Sequence, residues 1–146
     1  MKHTLLALLV VALPSAALAD IAPIQIEIEA PKPTAVIDLG TTEAAAGLAV
    51  LDVRKIVMRN KAALRWCYVL RAQAKPKLMG KIVLTFDVLP SGKVAAATVS
   101  QTTVNDANLE QCMVRAAARW FFPKPAEGAI VRVTQPLVLS MRLDVR

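Results

Sequence analysis

The chain of 146 residues carries 18 Lys and Arg against 11 Asp and Glu, a net charge of +7, with two cysteines and one histidine. That histidine is His3, so the chain beyond the N-terminus has no residue for a histidine triad, a Cys–His pair or a histidine metal site. Two cysteines are also too few for a four-cysteine zinc site; no metal ligand set and no cofactor are expected, and the chain does not read as an enzyme.

Residues 1–19 begin M-K-H-T, run apolar from Leu5 to Leu13, break at Pro14 and reach A-L-A before Asp20. A positive start, an apolar middle and small residues before the cut are the marks of a secretory signal peptide. Cleavage is expected after Ala19, which would leave the rest in the periplasm or secreted. The rival is an uncleaved membrane anchor, but Thr4 to Ala19 falls short of the ~20 residues that span a bilayer.

Charge divides unevenly along the remainder. Residues 20–43 hold five acids against Lys32, whereas residues 44–146 hold 16 basic residues against six acids. In an exported chain the basic excess would meet anionic lipid, cell-wall polymer or an acidic partner, and nucleic acid is not expected. The plainer reading is a solvated face that keeps a small domain soluble.

In chain order, residues 20–43 form an extended, acidic, proline-punctuated tail, within which "IQIEIE" alternates like a strand that could dock at a sheet edge. A helix is expected from about Thr42 to Ala74, ended by Pro76. Val53, Ile56/Val57, Asn60, Ala63/Leu64, Cys67 and Leu70 recur at spacings of three and four and share one face. Arg54, Lys55, Arg59, Lys61, Arg65 and Arg71 fill much of the rest as a basic face.

Next, Ile82, Leu84, Phe86 and Val88 alternate as a half-buried strand, and "PSG" closes a tight hairpin with Gly92 able to take positive φ. The return strand runs from Lys93 to about Ser100, with a bulge invited by its alanines. "NDANLEQCMVRAAARW" reads as a second helix capped by Asn105 or Asp106, with Leu109, Cys112/Met113, Ala116 and Trp120 inward. A third strand follows from about Ile130 to Leu143, and Pro136 favours an edge position for it. The expected fold is α+β: a three-stranded antiparallel sheet, order second–first–third, with both helices on one face. Residues 44–146 are its domain.

Cys67 and Cys112 both turn inward on helices packed over the same sheet. Export would place this even pair in an oxidising compartment, which favours a structural disulfide over two buried thiols or a reactive centre. Trp120, Phe121 and Phe122 read mainly as core anchors, with one of the three exposed. Asp106 and Glu110 read as surface charge at a helix start.

The stretch from about Ile56 to Leu139 resembles the AgmX/PglI C-terminal domain family, a branch of the TonB/TolA-type C-terminal domains. The likeness rests on Asn60, Cys67-Tyr68, "PKLMGKI" at 76–82, "SGKV" at 91–94, "LEQC" at 109–112 and "WFFPKP" at 120–125. It implies the same α+β fold and a non-enzymatic role in envelope complexes of energy transduction or gliding motility. It further implies that a sheet edge is lent to an extended segment of an envelope protein. On the third strand, Ile130, Arg132, Thr134, Val138 and Ser140 would flank that segment, or a second copy of the chain pairing at the same edge. The transducers of this group keep an N-terminal membrane helix and a long spacer, so an adaptor is the first expectation here. An anchored transducer and a cationic module binding anionic lipid or cell wall through the first helix are the alternatives.

Overall fold

The computed structural model describes residues 33–143. The signal peptide, its cleavage point and the strand expected at 24–28 lie outside the described residues. The described chain begins with a strand, β1 (Pro33–Leu39), and a two-residue strand, β2 (Glu43–Ala44). Then come α1 (Val50–Ala74), β3 (Gly80–Val88), β4 (Val94–Thr102), α2 (Ala107–Ala117) and β5 (Val131–Leu143). A single 3₁₀ turn at Ala126–Gly128 precedes β5.

The expected antiparallel order of three strands is present as β4–β3–β5, but the sheet does not stop there. β1 pairs antiparallel with β5 from Pro33↔Leu143 to Leu39↔Leu137, and β2 continues the same side at Glu43↔Thr134 and Ala44↔Val133. The sheet therefore has five strands, in the order β1-β5-β3-β4 with β2 also on β5. A third of what reads as a tail, residues 33–39 and 43, belongs to it. Ala35 and Ile37 bury toward the helices while Thr34, Val36 and Asp38 face away, the alternation of a half-buried strand.

Pro136 thus lies in an inner strand, and the ladder shows why that is tolerated. The Gly40 amide donates to the Pro136 carbonyl at 2.9 Å, so residue 136 turns its backbone toward the β1–β2 side. That side is interrupted at Gly40–Thr42, where a missing N–H breaks no regular pairing. Gln135 fills the interruption: its amide donates to the Pro136 carbonyl at 2.9 Å and leans toward the Gly40 carbonyl at 3.5 Å. Thr42 Oγ1 donates to Gln135 Oε1 at 2.6 Å. Both side chains are buried, and the pair satisfies polar groups that would otherwise be stranded.

α1 starts eight residues later than expected, because Glu43–Ala44 go to the sheet and Gly47 takes a φ of +114°. Its buried face is Val53, Val57, Leu64, Cys67, Tyr68 and Ala72. Leu70 and Ala63 are exposed, whereas Tyr68 is fully buried and donates its hydroxyl to the Leu78 carbonyl at 2.5 Å. The two helices cover one face of the sheet in a single apolar core.

The hairpin forms as expected, with Gly92 at φ +87° and its amide bonded to the Leu89 carbonyl at 2.8 Å. The register of β4 against β3 shifts twice, once at the alanines, where Ala96 takes a φ of +50°. Phe86 packs edge-on to Trp120 at 5.7 Å and stacks on Phe122 at 5.6 Å. The Phe122 amide donates to the Gly92 carbonyl at 2.8 Å, pinning the helix exit onto the hairpin turn. This clamp turns Phe122 inward and leaves Phe121 outside at 59 % exposure.

Cys67 and Cys112 form a disulfide joining α1 to α2, with their Cα atoms 5.8 Å apart. It closes a 45-residue separation, and the chain-entropy estimate for such a loop is about 4 kcal/mol. A second link ties the same helices. Asp106 caps α2 by accepting from the Leu109 amide at 2.9 Å, and it also takes Arg71 at 3.0 and 2.9 Å and Lys75 at 2.8 Å. These cations, Arg71 first, hold the buried Asp106 carboxyl well below the usual carboxylate range.

Candidate functional site: the outer edge of the first strand

β5 is not an edge. Ile130, Arg132, Thr134, Val138 and Ser140 lie on or beside an inner strand whose two sides are taken by β1–β2 and by β3. Their side chains belong to the sheet face away from the helices. Arg132 is spent there on a forked bond to Asp87, at 2.8 and 3.0 Å. The edge expected for a partner is filled by the chain's own β1 and β2.

Among the described residues three strands keep an open side, the two-residue β2, too short to serve as a template, and β1 and β4. The latter two are not equivalent. β4 is bulged at two places, which twists its free side and blunts it for pairing. β1 runs seven residues in unbroken register. An antiparallel ladder alternates the direction of successive backbone groups. With Gly40 bonded to Pro136, positions 34, 36 and 38 face β5, and Ala35, Ile37 and Leu39 aim their N–H and C=O groups outward. One of these outward groups is already held: Arg65 Nε donates to the Ala35 carbonyl at 3.0 Å.

Beside this edge α1 and β1 enclose a groove of about 640 Å³. Thr34–Ile37 form one wall, and Lys61, Ala62, Arg65, Trp66 and Val69 form the other. Trp66 is 63 % exposed although it is the largest side chain on the helix. Its position had a signal in the sequence, since it falls off the face shared by Val53, Val57, Leu64 and Cys67. An aromatic residue there has no core to enter.

The six residues of the expected basic face do not act together. Arg54, Lys55 and Arg59 are exposed, with Lys55 bridging Asp52 at 3.3 Å. Lys61 and Arg65 line the groove. Arg71 turns away to Asp106, its side chain only 27 % exposed, and leaves the face. Asp106 and Glu110 are likewise not a surface pair, because Asp106 is buried. Among the described residues no helix is long and apolar enough to cross a membrane.

Compared with protein-family models, curated proteins and solved structures, the chain matches none of them.

Proposed function

We propose that the chain is a non-enzymatic protein-binding module of the cell envelope, taking up an extended partner segment along the outer edge of β1. The observation that carries this reading is the outward aim of the Ile37 and Leu39 backbone groups on an unbulged strand beside an apolar groove. An added strand would bond to those groups and send every second side chain toward α1. An aliphatic or aromatic residue suits the space between Ala62, Trp66 and Val69. The TonB-type resemblance of residues 56–139 supports strand addition as the mode, with β1 in place of the strand the family would use. The Cys67–Cys112 bridge fits an oxidising compartment, and with the signal-like N-terminus it favours the periplasm or secretion.

Short extended peptides selected by display against the chain provide the test. N-methylation of alternate peptide amides should abolish binding in one register and spare it in the other, because only every second amide faces β1. Trp66→Ala should weaken binding about tenfold, as loss of an aromatic anchor does. Peptides that tolerate N-methylation in both registers would contradict the reading.

A further inference from the structure

α1 is apolar on two faces, and the described residues cover only one. Opposite the core, Leu51 is 71 % and Met58 52 % exposed, one heptad apart and so in one row along the helix. Arg54 stands on one flank of this row, and Lys55 and Arg59 on the other, all exposed. Beyond Lys55 and Arg59 comes Phe121, held outward by the clamp on the hairpin turn. Those three residues line a shallow depression of about 360 Å³. Asp52 is the one acid of α1 and is bridged to Lys55.

We infer that this face docks on an anionic lipid surface. Rows of cations alternate with rows of projecting apolar tips, so phosphates can meet Arg54, Lys55 and Arg59 while Leu51, Met58 and Phe121 enter the acyl boundary. The Leu51–Met58 row is convex. Exposed cations flank it on both sides, a charge pattern that complements an anionic lipid surface. The long stems of the arginines and lysine add apolar contact below their charged heads. The row runs on from Met58 to Lys61, Ala62 and Arg65 in the groove wall, so the lipid-facing patch borders the β1 groove, but neither Leu51 nor Met58 lines it.

Partitioning of the full chain onto phosphatidylglycerol vesicles and onto phosphatidylcholine vesicles tests the inference, at low and at high salt. Binding is expected on the anionic vesicles alone and should weaken with salt. Arg54→Gln with Arg59→Gln should lower partitioning about 30-fold, taking the usual contribution of a cation near such a surface. Leu51→Ser with Met58→Ser should lower it comparably without changing the unfolding midpoint, since both side chains are exposed. Equal partitioning of parent and variants would overturn the inference. So would a loss that follows the arginines but not Leu51 and Met58, which is adsorption by charge alone. Self-association of the chain that Leu51→Ser with Met58→Ser abolishes would also overturn it, assigning the face to a second copy. Peptide binding at β1 is read separately, and its survival in these variants is expected.

Discussion

Arg65 on α1 donates its Nε to the outward carbonyl of Ala35 on β1, 30 positions earlier, at 3.0 Å. One side chain thus fixes the edge strand to the helix that walls its groove. Arg65→Ala should cost about 1 kcal/mol, the usual net worth of such a bond. The amides of Val36 and Asp38 should exchange faster in that variant, because β1 is held to β5 with one fewer support. Amide exchange followed by NMR checks this, and unchanged protection would mean that the bond contributes nothing to seating β1.

The Cys67–Cys112 bridge and the Asp106 cluster fasten the same two helices, but they respond to different conditions. Reduction, or Cys67→Ala with Cys112→Ala, should lower unfolding stability by about 4 kcal/mol. Urea denaturation with and without reductant measures it. Arg71 and Lys75 remain paired to Asp106 in either state, so the reduced chain should still show native helix content.

Asp106 sets the acid limit. Its folded-state pKa is depressed, chiefly by Arg71, so it binds protons less readily in the folded chain than in the unfolded one. The stability it contributes is complete above the unfolded carboxyl value near 4 and declines as pH falls below it. Asp106→Asn should cost about 2–3 kcal/mol at neutral pH, less than a wholly buried pair because Lys75 can turn to water. Below about pH 4 the gap between variant and parent should narrow, which is seen by comparing urea midpoints across pH.

Gln135 is the polar residue on which the β1–β2 interruption rests. Gln135→Leu fits the apolar surroundings but leaves the buried Thr42 hydroxyl and the Gly40 carbonyl without their partner, while the Pro136 carbonyl keeps the Gly40 amide. A loss of about 2 kcal/mol is expected, from unsatisfied buried groups rather than from packing. A stabilised variant in thermal unfolding would contradict this account of the break.

Helical spacing and strand parity are enough to place β3, β4, α2 and β5 and to turn both cysteines inward; their pairing follows from the even count and the expected oxidising compartment, and the bond is present. Spacing and parity fail where local pattern and tertiary partner diverge. "PTAVIDL" hides its alternation behind three consecutive apolar residues, so β1 reads as tail. Pro136 points to an edge because a missing N–H is usually tolerated there, yet the interruption opposite it serves equally well. The groove was unreadable for the same reason. Trp66 stands off the core face, but only the position of β1 gives it a neighbour across a gap. Asp106 looked like an ordinary cap, since the sequence does not reveal that the end of α1 arrives beside it.

Exchange of the Ile37 and Leu39 amides, with and without a display-selected peptide, tests the central claim most directly. Strand addition at β1 should slow both by about tenfold or more, since an amide that was open becomes a ladder bond. Peptide binding that leaves their exchange unchanged would contradict it and move the site away from this edge.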